Sequence, residues 1–222
     1  MTAVDQPGTT LTEVWPLFGL RIRSEHLVLR LPTDDDLPGL LELAKAGIHP
    51  PDEMPFGVAW TDARGSAFDI SFLQHHWKWR GSWRPEEWWL NLMVELHGRP
   101  IGAQTISGED FPTHRIVDSG SWLGRAHQGR GLGKEMRAAV LAFAFDGLGA
   151  RAATSGAFLD NAASNAVSRS LGYVEDGRAA LAPRGVSREV QRFRMTEERW
   201  RSRPRPPVTI EGLDACRDMF GI

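Results

Sequence analysis

From His127 to Phe145 the chain reads HQGRGLGKEMRAAVLAFAF, with glycines at 129, 131 and 133 running directly into a helical pattern. Glycine loses more conformational freedom on ordering than any other residue, so three of them before a helix point to a backbone that something approaches closely. Successive N–H groups at a helix N-terminus form an anion site, and missing side chains let a diphosphate sit against them. Arg125, Arg130 and Lys134 add positive charge at the same edge. Spacing separates the phosphate-binding loops that could be meant. A nucleoside-triphosphate loop needs Gly at 128 and Ser or Thr after Lys134, where Gln128 and Glu135 stand. A dinucleotide fingerprint needs G-x-G-x-x-G on a parallel unit, and Gly129, Gly131 and Gly133 give G-x-G-x-G after what reads as an antiparallel run. What remains is Gln-x-x-Gly-x-Gly, as Gln128, Gly131 and Gly133, between a strand and a long helix.

Composition narrows the partner. The net charge is -2 and no long basic run occurs, so nucleic acid is not the expected partner. No stretch approaches the length of a membrane-spanning apolar helix, and no membrane partner is expected. The opening MTAVDQPGTT has neither the basic nor the apolar region of a secretion signal. A lone cysteine, Cys216, cannot form an intrachain disulfide, and these features together lead us to expect a cytoplasmic protein. His75 and His76 are adjacent and cannot share a metal from one helical face. With no H-E-x-x-H or paired-cysteine spacing either, no metal is expected.

The elements that must hold the loop follow from periodicity. Residues 1–14 are small and polar and read as a disordered leader, and residues 15–203 read as one domain. The proline-rich RPRPPV sets off a tail, residues 204–222, expected to pack on the domain or on a neighbouring subunit, with a homo-oligomer left open. Leu27, Leu29 and Leu31 alternate as in a half-buried strand. TDDDLPGLLELAKAG predicts a helix with Thr33 as N-cap, Asp36 completing a capping box and Gly47 as the stop. Phe68, Phe72, His76, Trp79 and Trp83 fall at helical spacing. EWWLNLMVEL, HG and RPIGAQTIS predict a hairpin, and residues 115–124 a third strand of the same antiparallel run. Behind the glycines, Met136, Val140, Phe143, Ala144 and Leu148 make one apolar helical face. A strand over 151–160, a helix from Asn161 to Leu171 stopped by Gly172, a strand over 188–196 and a short helix complete a mixed α/β (α+β) domain.

In this setting Gln128, Gly131 and Gly133 resemble the pyrophosphate loop of the GCN5-related N-acetyltransferases (GNAT). Further on, FLDNAASNAVSRSLGYVEDG looks like the Asn-x-x-Ser segment, ending in Gly plus an aromatic, of the ribosomal-protein acetyltransferase (RimJ/RimL) branch. With DSGSWLG before the loop, the similarity spans Leu27 to Thr196. WPLF, the MPF of 54–56, DSGSWLG and EMRAAVLAFAF also look like a subgroup suggested to use succinyl-CoA. The resemblance implies the GNAT fold: a mixed, mostly antiparallel central sheet with helices on both faces and a V-shaped split between the strands flanking the loop. It implies acetyl-CoA or succinyl-CoA as co-substrate, the diphosphate meeting Gln128, Gly129, Arg130, Gly131, Leu132, Gly133 and Lys134. The pantetheine arm would pair with freed backbone groups of Trp122 and Leu123. Asn161, at the mouth of the same gap, would hydrogen-bond that arm, cap its helix, or do both.

Acyl transfer to an amine needs a base for the amine proton, help for the developing oxyanion and a proton for the leaving thiolate. By the resemblance, Asp118 stands where many relatives carry Glu; one methylene shorter, it would act through a water, and a plain surface or salt-bridged Asp is the alternative. Relatives often protonate the thiolate with a Tyr on the helix after the Asn, and here that helix has none. Ser164 and Ser168 are its hydroxyls; Ser164 fits the branch motif, or serves only at the helix start. The backbone N–H near Leu123 would polarise the thioester carbonyl. His76 either packs in the aromatic stripe or lines the acceptor site, and the helix bearing His75, His76 and Arg80 could meet a succinyl carboxylate. Cys216 lies away from every motif and is a poor nucleophile candidate. The implied activity is transfer of an acetyl or succinyl group from CoA to a primary amine, on a small molecule or a protein, by direct attack in a ternary complex. A CoA-binding sensor without turnover is the alternative.

Overall fold

The computed structural model describes residues 8–222. The elements run α1 (Leu11–Val14), a 3-10 turn (Pro16–Gly19), β1 (Arg21–Arg23), β2 (Leu27–Arg30), α2 (Leu37–Lys45), a 3-10 turn (Trp60–Asp62), α3 (Gly65–Gly81), β3 (Glu87–Leu96) and β4 (Arg99–Glu109). They continue with α4 (Phe111–His114), β5 (Ile116–Leu123), a 3-10 turn (Arg125–His127), α5 (Leu132–Ala142), β6 (Ala152–Phe158), α6 (Ala162–Leu171), β7 (Val174–Leu181), β8 (Arg188–Thr196), α7 (Glu197–Arg201) and β9 (Thr209–Glu211). The nine strands among the described residues form one sheet in the order β7-β8-β6-β5-β4-β3-β2-β1-β9. Every pairing is antiparallel except β5 with β6. A parallel pair needs a long crossover, and the glycine loop with α5 supplies it.

The β3–β4 hairpin turns on His97 and Gly98, both at positive φ (52° and 72°), as the HG pair predicts. Two expectations need correction. Residues 1–7 of the expected leader lie outside the described residues, and its last four, Leu11–Val14, are helical, closed by a capping box between Thr10 and Glu13. The second helix starts at Leu37 rather than after Thr33. Asp36 does accept from the Thr33 N–H and hydroxyl, but Arg30 holds the same carboxylate with two bonds of 2.6 and 2.7 Å, and Pro38 presets the first helical turn one residue beyond Leu37. The short strands β1 and β9 and the solvent-facing β7 carry too little apolar alternation to be read in advance.

Helices cover both faces of the sheet. On one, Leu40, Leu41 and Ala44 of α2 and Phe68 and Phe72 of α3 enclose Met93. On the other, α5 sinks into the main core, and from Met136 to Phe145 every residue is buried, Arg137 included. A single apolar face was expected there. The difference arises because the chain returns over the helix: Trp200 stacks on Phe145 and Phe220 packs edge-on against Phe143. The tail lies on the domain itself, β9 pairing with β1 and the Trp83 indole N–H donating to the Met219 carbonyl at 2.8 Å. Cys216 is buried there, its thiol pushed up to about 11 by burial, which removes it as a nucleophile.

Candidate functional site

The parallel ladder between β5 and β6 holds only three residue pairs, ending at Asp118 opposite Thr154, although both strands continue. Beyond that pair the strands part, and the helices after them, α5 and α6, begin at the open end. The carbonyls of Val117 and Ser119 face β6, accepting from the Thr154 and Ser155 hydroxyls at 3.2 and 3.3 Å, while the Gly124 N–H faces β4 and donates to Ile101. Because a strand alternates its hydrogen-bonding sides, Ser121 and Leu123 turn their N–H groups into the split and Trp122 turns its own toward β4. Of the two residues expected there, the geometry selects Leu123 and adds Ser121. Trp122 contributes a side chain, packed 6.1 Å from Trp60.

At the head of the split lies the glycine loop. Gly129 and Gly131 adopt φ of 71° and 81°, a left-handed backbone that other residues enter only under strain. A Cβ at either would meet open space, so no neighbouring atom among the described residues requires those positions to be bare. Among the described residues the N–H groups of Gly129, Arg130, Gly131, Leu132 and Gly133 donate to nothing. Gly131 is the N-cap of α5 and offers no side chain to take them up. Arg125, Arg130 and Lys134 form no ion pair among the described residues and stand exposed. Free donors, unpaired cations and open space at one helix N-terminus make an anion nest suited to a diphosphate. Gln128 plays another part than the expected one: its amide N–H groups donate to the Ile48 and Leu123 carbonyls at 2.7 and 2.8 Å, bracing the loop against the chain after α2 and the end of β5.

Asp118 sits at the vertex. It opens onto a cleft of about 480 Å3 floored by residues 118–120 of β5 and 154–158 of β6 and walled by Pro55, Gly57, Leu181, Val190 and Arg192. Although the cleft is open, its walls strip enough water from the carboxyl to raise its pKa, against the lowering effects of the Thr154 hydroxyl at 2.6 Å and of Arg137 and Arg192. A carboxylate so placed is a base of increased strength facing a space large enough for an amine.

Asn161 is the N-cap of α6, its Oδ1 accepting from the Ser164 N–H at 3.0 Å, and its amide nitrogen forms no hydrogen bond among the described residues. Ser164 is half-buried on the first turn of α6, at the open end of the split and outside the wall of the cleft. Ser168 points inward and is buried. The chain's single tyrosine, Tyr173, is a residue the sequence reading passed over as merely the aromatic after Gly172. Its buried hydroxyl has no hydrogen-bond partner among the described residues, with Ser119 and Arg137 as its polar neighbours. A lone Tyr in a chain rich in Trp was the available signal.

His76 and Arg80 do not join this site. They border a separate small cavity with Trp15, Leu17, Leu31, Trp79 and Asn91. Arg80 is spent on Asp34, at 2.5 Å, and on the Pro32 carbonyl, at 2.6 Å. Burial, together with His75 and Arg80, pushes the His76 imidazole down to about 3, so it is neutral near pH 7 and offers no charge to a carboxylate. Helical spacing identified the stripe correctly; the stripe faces the packed side of α3, not the cleft.

A family model described as an acetyltransferase (GNAT) domain matches residues 26–174. Among solved structures, the chain is similar to Mycobacterium smegmatis RimJ in complex with CoA-disulfide (TM-score 0.66, 19% identity, 89% of this chain and 91% of that one). It is similar to a Vibrio cholerae protein described as a putative ribosomal-protein-serine acetyltransferase (TM-score 0.61, 19% identity, 79% and 97%). It also resembles RimL, a ribosomal L7/L12 alpha-N-protein acetyltransferase in complex with coenzyme A (TM-score 0.61, 18% identity, 79% and 97%).

Proposed function

The chain belongs to the GNAT acetyltransferase family, and from that premise we propose that it moves an acyl group from CoA to a primary amine by direct attack in a ternary complex. The observation that carries this is the interrupted β5–β6 ladder, with an anion nest at its head and Asp118 at its vertex. The diphosphate rests on the N–H groups of Gly129 to Gly133 beside Arg125, Arg130 and Lys134. A pantetheine amide pairs with the N–H of Leu123, and Asn161 adds its free amide at the mouth. The amine nitrogen attacks the thioester carbon while the N–H of Ser121, nearer the vertex, stabilises the oxyanion. Asp118, reaching through a water, takes the ammonium proton; the C–S bond breaks, and the thiolate takes a proton relayed through the Ser164 hydroxyl, which is reprotonated from solvent at the open end of the split.

For the acyl group, acetyl and succinyl both fit the resemblance. With Arg80 engaged elsewhere, Arg192 is the one cation among the described residues lining the cleft, and its nearest carboxylate, Asp176, is 3.8 Å away. It is the group that a succinyl carboxylate would meet. The solved ribosomal-protein acetyltransferases make a protein amine the first acceptor to try. The test is amine-dependent release of free thiol from acetyl-CoA and from succinyl-CoA, using a panel of amines and N-terminal peptides. CoA binding without thiol release under any amine would favour a sensor. A succinyl preference that survives Arg192→Ala would remove Arg192 from the donor site.

A further inference from the structure

We propose that Arg137 is a positioning residue for acyl transfer: its guanidinium, bridging Ser121 of β5 to Ser155 of β6, sets the width of the split and holds a fixed positive charge behind the seat of the thioester. This role rests on the acyltransfer reading above.

Arg137 lies in α5 with 4% of its surface exposed. One terminal nitrogen donates to the Ser155 hydroxyl at 2.7 Å and the other to the Ser121 hydroxyl at 3.3 Å, while Nε has no partner. No carboxylate pairs with it among the described residues. A charge out of water with only neutral acceptors is costly, and a Met or Leu matching its neighbours Met136 and Leu141 would fill the space at no such cost. What the arginine adds is therefore charge and a rigid fork, not burial.

Both act at one place. Ser155 passes the contact on, donating to the Ser119 carbonyl at 3.3 Å, one residue beyond the last ladder pair. The bridge thus stands where strand-to-strand hydrogen bonds stop, and it ties the two strands through side chains at a wider spacing than a ladder would. Developing negative charge on the carbonyl oxygen and the sulfur would face the one buried cation behind the split. The groups that act on Asp118 are the Thr154 hydroxyl from β6, Arg137 from α5 and Arg192 from β8; the neutral Tyr173 after α6 lies close enough to feel its charge, and Ser107 is its register partner on β4.

The experiment compares parent, Arg137→Met, Arg137→Lys and Ser155→Ala, measuring CoA affinity by calorimetry, the melting temperature, and kcat/KM against pH with one amine throughout so that its own titration cancels. Arg137→Met is expected to keep CoA affinity and melting temperature, to lose about 10- to 100-fold in kcat as partners that orient reacting groups do, and to shift the acidic limb to higher pH. Arg137→Lys should return the limb but not the rate, because an ammonium cannot span both hydroxyls. Ser155→Ala, which keeps the charge and cuts the bridge, should lower kcat and leave the limb in place, and it decides the matter should the Met variant not fold. Parental kcat in Arg137→Met, or parental kcat in Ser155→Ala, overturns the role. A parent that binds CoA but transfers nothing overturns the acyltransfer reading beneath it.

Discussion

The glycine loop and the Asp118 cleft share strand β5, yet they are built by opposite means. The loop is a run of consecutive residues whose binding groups are backbone N–H donors, aimed by the positive φ of Gly129 and Gly131. The cleft draws its wall from the segment before α3, from β5 and β6, and from β7 and β8. A site made of backbone is encoded where it stands. A site made of side chains from distant segments depends on the topology that collects them, so one can be changed without the other.

The largest separation is expected at the base. Asp118→Asn should lower kcat on the order of 10²-fold or more while CoA affinity stays at the parental value. Equal loss of both, by steady-state kinetics and calorimetry, would mean that the two regions are not independent. The same carboxyl, as the proposed base, should set the pH response. Because desolvation by the cleft walls raises its pKa in the folded protein, a base that works only when ionised loses function as pH falls through that raised value, and the acidic limb of kcat/KM should lie above that of a free aspartate. A limb at ordinary values would remove Asp118 from the role.

A smaller effect, confined to the loop, is expected from Gln128→Ala. It leaves the Ile48 and Leu123 carbonyls without their donor, worth about 1–3 kcal/mol, and should weaken CoA binding while the amine KM is unchanged. Gly120→Ala probes the other side. Gly120 lies on the cleft floor with open space before it, so the fold should accept a methyl group. The amine KM should rise several-fold, about 1 kcal/mol, with CoA affinity intact. Least of all, Arg80→Ala should cost about 1 kcal/mol or less, since its partner Asp34 is mostly exposed, and should leave the ratio of succinyl to acetyl transfer unmoved.

Legibility in the sequence followed the same division. The hairpin at His97–Gly98, the loop and the crossover helix were readable because turn glycines, alternation and helical period are local signals. The start of α2 was misplaced because Arg30, from a neighbouring strand, holds the carboxylate that the local pattern assigned to a cap. Gln128 was assigned to the ligand because its position in the motif says nothing about where its amide points. His76 and Arg80 border a cavity apart from the cleft, and no periodicity reveals which cavity a helix face borders. Arg137 sits in an apolar run that gives no local reason for a charge, and the register of β5 against β6 supplies the partners it bridges.

The central claim is that the loop seats the diphosphate of CoA. The most direct measurement is calorimetry of CoA and of pantetheine, which lacks the diphosphate, against the parent and against Gly131→Val, with the fold of the variant confirmed by its melting curve. Charge-assisted hydrogen bonds to the nest should make the parent bind CoA on the order of 10²-fold more tightly than pantetheine, and the side chain at 131 should collapse that difference while pantetheine binds as before. Equal affinity of the two ligands in the parent, or an undiminished difference in Gly131→Val, would contradict a diphosphate seat at this loop.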